Sequence, residues 1–182
     1  MKKQSLLLAC CCLLVMACAA QAHKYKRNYY SGYILTNYGD TLIGRVKSDQ
    51  NFTRKVRFIA DNDTLQKTVS IPLADIKLMR LNLMIFEKVT IKGKVKMLEK
   101  VAYGYYDLFA YNYQRGEVSE NRYILQLPDQ VIKVEPKNFR EVMERYLFDC
   151  PEIRQKIVAR QLNFEDTVNI FRIYNRWKQN QI

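Results

Sequence analysis

Apolar and polar positions alternate along much of 29–134, the period expected of β-strands. Tyr29–Thr36 and Thr41–Lys47 flank the turn cluster Asn37-Tyr38-Gly39-Asp40, which predicts a β-hairpin. Arg54–Ala60 and Thr64–Ser70 flank Asp61-Asn62-Asp63 and predict a second. Met84–Ile91 and Lys94–Val101 flank Lys92-Gly93 and predict a third. Tyr105–Tyr113 and Asn121–Leu127 are joined by a loop through Arg115-Gly116. Pro128-Asp129 then turns the chain into Gln130–Val134. In Arg54–Ala60, Val56 and Phe58 share one face and Arg57 takes the other, so the sheet should have one wet face.

The period changes at Pro136, which suits a first helical turn. Phe139, Val142, Met143, Tyr146 and Leu147 recur at helical spacing, and the helix should stop near Phe148. Asp149 can cap a second helix, with Pro151 early in it and Glu152 at the reciprocal capping position. Ile153, Ile157, Val158 and Leu162 form its apolar side. Asn163 can cap a third, whose Phe164, Val168, Phe171 and Tyr174 share a face, with Trp177 near its end. Stripes this wide dock on a sheet. The fold class is α+β: an antiparallel β-rich sheet or half-barrel over 29–134, then a helical tail of about three helices over 136–178.

The start of the chain has a different character. Lys2 and Lys3 precede the uncharged apolar run Leu6–Ala20, and Ala20-Gln21-Ala22 places small residues where a signal peptidase reads. The run is shorter than the roughly 20 apolar residues a membrane span needs. Residues 1–22 are therefore expected to be a signal peptide cleaved between Ala22 and His23, leaving 23–182 as one exported domain with no transmembrane span. Val15-Met16-Ala17-Cys18 partly resembles a lipobox, which makes Cys18 the alternative, lipidated start. The destination is the periplasm, the outer envelope or the extracellular space.

Charge and residue counts narrow the function. The chain has 30 Lys and Arg against 18 Asp and Glu. That excess favours an anionic envelope component or a protein as partner, and export makes nucleic acid an unexpected one. Cys150 is the sole cysteine beyond the apolar run, so no intramolecular disulfide can form after cleavage. It begins a predicted helix, where thiols can be activated, but it has no histidine or CxxC partner and fits a packed core residue. His23 is the only histidine. A Ser–His–Asp or Cys–His design would have to tie down this terminal residue, and a copper-binding histidine brace would need a second histidine. There is no metal-ligand cluster and no Gly-rich phosphate loop. Catalytic residues, metal ligands and cofactors are accordingly none on this reading.

Two groups of side chains remain as candidates. Lys24, Lys26 and Arg27, interleaved with Tyr25, Tyr29 and Tyr30, form a basic-aromatic arm suited to an anionic surface. Tyr103, Tyr105, Tyr106, Tyr111, Tyr113 and Tyr123 form a second group. Tyr105, Tyr111 and Tyr113 can stack on sugars, or serve only as half-buried strand residues. The acids Asp61, Asp63, Asp75, Glu99 and Asp107 offer a carboxylate pair for glycoside hydrolysis, although no spacing singles one out. The first reading is a non-catalytic interaction module for a protein or anionic surface. A small-ligand or glycan binder comes second and a carboxylate-dependent hydrolase third.

Gly32-Tyr33-Ile34 and Gly39-Asp40-Thr41-Leu42-Ile43-Gly44-Arg45-Val46 resemble the GYI…GDTIxGxI opening of exported proteins of Bacteroidetes type. The strand from Phe86 through Gly93-Lys94-Val95, the segment Phe148-Asp149-Cys150-Pro151-Glu152-Ile153 and the pair Tyr174-Asn175 resemble later parts of the same pattern. Met97-Leu98 stands where such proteins often have Leu-Tyr. The resemblance implies an envelope or secreted β-rich domain with a helical tail, and no activity. It also makes Asp40-Thr41-Leu42, Asp63-Thr64-Leu65 and Asp166-Thr167-Val168 resemble O-glycosylation sites of those bacteria.

Overall fold

The structure, a computed structural model, describes residues 28–47, 52, 54–115 and 118–181, with the side chains of 112–121 outside that description. The strands are β1 Tyr29–Thr36, β2 Thr41–Lys47, β3 Lys55–Ala60, β4 Val69–Pro72, β5 Ile76–Leu81, β6 Met84–Ile91, β7 Lys94–Ala102, β8 Asp107–Arg115, β9 Val118–Gln126 and β10 Val131–Val134. Three helices follow: α1 Phe139–Leu147, α2 Pro151–Val158 and α3 Thr167–Gln179. All ten strands form one open antiparallel sheet, ordered β10-β9-β8-β7-β6-β5-β1-β2-β3-β4. The expected α+β class is what the chain adopts.

The strand order forces the sheet to curl. β4 lies at one edge, yet only Leu73–Asp75 carry the chain from it to β5 on the far side of β1. In a flat sheet those strands would be roughly 19 Å apart. Three linking residues reach at most about 14 Å. β1–β5 therefore bend into a half-barrel around Ile34, Val46, Val56, Phe58, Met79 and Leu81. Phe52, between β2 and β3, closes over this core. It bridges to Met97 of β7 and sets its ring edge-on to Phe86, 5.7 Å away.

Two glycines permit the curl. Gly32 of β1 and Gly44 of β2 face each other in register. A Cβ on Gly32 would lie 1.9 Å from the Arg80 carbonyl oxygen, and one on Gly44 would lie 2.2 Å from that of Ile59. Only residues without a Cβ let these four strands approach this closely.

The inner face runs on without a break. Phe86 pairs with Glu99, Glu99 with Ala110, Ala110 with Tyr123 and Tyr123 with Val134. Beyond β7 the helices cover this face: Leu108, Leu125 and Val134 pack with Val142, Met143 and Phe171. The outer face is not uniformly wet, contrary to expectation. Val89, Leu98, Phe109 and Ile124 form a buried apolar stripe on it. The Lys100 amine lies over Phe109, 5.8 Å from its ring centre. Long lysine stems shield apolar surface in this way.

Several boundaries differ from expectation for identifiable reasons. β4 starts at Val69 rather than Thr64, because the Asp63 carboxylate accepts hydrogen bonds from the backbone N–H of Leu65 and Lys67 and holds a longer loop. β5 falls in a stretch left without an assigned strand, although it joins the two halves of the sheet. β8 starts at Asp107 rather than Tyr105. The Asn175 side chain takes up the Tyr106 backbone in place of a strand neighbour, accepting from its N–H at 2.9 Å and donating to its carbonyl at 2.8 Å. α1 begins at Phe139, after Pro136. Asp149 does not cap α2; Cys150 holds that position, with Pro151 first in the helix. Asp149 instead accepts from Lys178 Nζ at 2.7 Å and from the Tyr174 hydroxyl at 3.3 Å, tying α3 to the start of α2. Asn163 opens a short 3₁₀ turn without a side-chain cap, and α3 starts after it at Thr167. Val158, expected on the apolar side of α2, is exposed.

Candidate functional site

Where the half-barrel stops short of closing, a groove remains at its mouth. Arg54, Leu73 and Ala74 line one wall; Lys88, Lys94, Val95 and Lys96 line the other. Its volume is about 730 Å³, within the range of small-molecule sites. Arg54 precedes β3, Leu73 and Ala74 form the β4–β5 turn, and the remaining four belong to the β6–β7 hairpin. The tight Lys92-Gly93 turn, with both residues at positive φ, brings β6 and β7 together here.

The groove is cationic. No carboxylate lines it among the described residues. Lys88 Nζ is placed by neutral oxygens, Asn37 Oδ1 at 3.4 Å and the Ala74 carbonyl at 3.5 Å. Asn37 is oriented in turn by donating its amide to the same carbonyl. These neutral acceptors leave the lysine's positive charge uncompensated. Lys96 is turned away, with its amine 3.0 Å from the Tyr111 hydroxyl. Arg54, Lys88 and Lys94 remain as cations lining the groove, Lys94 from the strand face that it shares with Lys96. Leu73 and Val95 add apolar surface between them, Leu73 buried in the half-barrel core and Val95 exposed.

The candidates from the sequence are scattered. Ala20, Ala22, His23, Cys18, Lys24, Lys26 and Arg27 lie outside the described residues, as does the Tyr113 side chain. Tyr111 is on the outer face beneath Lys96, whose amine stands 4.3 Å from its ring centre. Tyr105 is at the β7–β8 turn beside α3, against Tyr106 and Tyr174 and 5.1 Å from Lys178 Nζ. Tyr105 and Tyr111 do not form one surface. Tyr123 is buried, whereas Tyr103 and Tyr105 remain exposed. Tyr174 is buried against Asp149, and burial first, then that carboxylate, push its phenol far above the ordinary range. Burial works to raise Asp149 too, yet Lys178 and Tyr174 hold it below the usual carboxylate range.

The acids do not assemble either. Asp61 and Asp63 belong to the β3–β4 loop. Asp107 pairs with Lys100 at 2.7 Å, and the same amine meets Glu87 at 3.2 Å. Burial works to lower Lys100, and the two carboxylates outweigh it and raise it. Glu99 sits on the inner face, where burial raises its carboxyl. Cys150 is a buried member of the helical core. Of the three Asp-Thr-apolar threonines, Thr41 and Thr64 are exposed. Thr167 is fully buried and donates to the Phe164 carbonyl.

Sequence reasoning missed the groove's cations because they come from separate elements. The clue available was the density of lysines around Lys92-Gly93, with Lys88, Lys94 and Lys96 in one hairpin. Among the described residues, no helix is long and apolar enough to cross a membrane. No family model, curated protein or solved structure matches the chain.

Proposed function

We propose that this chain is an exported, non-catalytic binding module of the envelope or extracellular space, and that its half-barrel mouth receives an anionic partner. One observation carries the reading: Arg54, Lys88 and Lys94 line a groove with no lining carboxylate among the described residues. Cations in a concave, partly apolar site focus positive potential, which raises both the on-rate and the occupancy of an anion. Export rests on the Lys2-Lys3 start, the Leu6–Ala20 run and Ala20-Gln21-Ala22. The overall excess of lysine and arginine supports an anionic partner independently.

The test compares two triple variants for retention on an anionic matrix at low salt. Arg54→Gln, Lys88→Gln and Lys94→Gln together should weaken retention at least about tenfold, and added salt should weaken the parent as surface charges are screened. The control removes as much charge from the helical face, through Lys137→Gln, Arg145→Gln and Lys156→Gln. Arg145 and Lys156 lie in exposed ion pairs that contribute little to stability, and Lys137 is itself exposed, with Arg122 still paired to its partner Glu135. Equal loss in both variants would mean that net charge, and not the groove, governs binding.

A further inference from the structure

We infer that the groove's ligand is a single-chain anionic amphiphile, with a phosphate or carboxylate head set among the cations and an apolar chain laid along the wall. The inference rests on the anion-binding reading above and names its ligand class.

Three features lead to it. The first is size. A volume of about 730 Å³ is far more than a bare phosphate or sulfate fills, and it matches a molecule with a substantial apolar body. The second is the alternation of chemistry across the walls. Ala74 and Val95 expose apolar surface in the same groove as Arg54, Lys88 and Lys94. A bare anion would leave that apolar surface wet, whereas an alkyl chain covers it and gains the burial energy. Val95 is already an exposed branched apolar residue at a hairpin rim, where a charged one would serve solubility better.

The third feature is the state of the cations. Lys88 has three donors and is positioned by two long contacts to neutral oxygens, so it is oriented without being neutralised. Arg54 presents a planar fork that suits two oxygens of one carboxylate or phosphate. An extended acidic polysaccharide would call for cations repeated along an outer track. These line one concavity instead.

Calorimetry on the full mature chain separates the possibilities, using inorganic phosphate, dodecyl phosphate below its micelle concentration, dodecanol and heparin as probes. Dodecyl phosphate should bind at least about tenfold more tightly than inorganic phosphate, which burial of only two methylenes supplies. Val95→Ser should shrink that advantage and leave phosphate binding unchanged; Lys88→Gln with Lys94→Gln should weaken both. Val95 is solvent-exposed, so its replacement does not threaten the fold. Equal affinity for phosphate and dodecyl phosphate would overturn the amphiphile and leave the anion site standing. Dodecanol binding as tightly as dodecyl phosphate would also overturn it, because the head would then contribute nothing. Heparin binding unaffected by the groove variants, with no binding of either phosphate, would remove the groove as a site and both readings with it.

Discussion

Glu99 stands between the two cores, facing Phe86 on one strand and Ala110 on the other. Burial raises its carboxyl, and no hydrogen bond or ion pair offsets this among the described residues. A carboxyl raised on folding holds its proton more tightly in the native state. Stability therefore falls as pH climbs from the ordinary glutamate range through the raised value. Glu99→Gln should be the more stable protein at neutral pH and match the parent in acid. Urea midpoints from about pH 3 to pH 8 measure the gap, and one independent of pH would contradict the assignment. Residue roles of this kind were only partly legible beforehand. The alternation of β7 places Glu99 on one face or the other, but what meets it there depends on strands on either side. Asp149 teaches the same lesson. Its position before Pro151 fits a helix cap, yet Lys178 and Tyr174 outcompete the backbone for it.

At the scale of elements, the strands and helices follow local patterns closely. β1, β2 and β6 begin and end where alternation and turn residues place them. Departures occur where a side chain takes over the backbone, a near one as Asp63 does before β4 or a distant one as Asn175 does at Tyr106. Two glycines acquire a physical meaning here. Gly32 and Gly44 are not turn residues; they lie mid-strand and let β1 press on β5 and β2 on β3. Gly32→Ala would drive a methyl into the Arg80 carbonyl, and overpacking of this kind costs about 1–3 kcal/mol. Chemical denaturation should show at least that loss for Gly32→Ala, and much less for Ala substituted at exposed Ser31 on the same strand. Equal, small effects would show that the strands separate easily and that the glycines are not needed for the curl.

The whole molecule is a coiled sheet with two cores on its inner face, one closed by the curl and one by helices. Phe52 joins β2 and β3 to β6 and β7 across the first core, at 2% exposure. Phe52→Ala should cost about 3–5 kcal/mol by the usual scale for deleted aromatic cores. It should also weaken anion binding, since Arg54 follows two residues later on the same wall. Thermal or urea unfolding with phosphate titration checks both. A destabilised variant with unchanged affinity would uncouple the groove from the curl. The β-rich body, its helical tail and the alternation of its faces could be read from residue order, because periodicity and turn chemistry act over a few neighbouring residues. The half-barrel, the second apolar stripe and the cationic groove could not. The stripe needs β6 to β9 side by side, and the half-barrel and groove arise because a three-residue link pulls β4 round to β5 and sets Arg54 in one groove with Lys88 and Lys94, meetings of distant segments that no local pattern encodes.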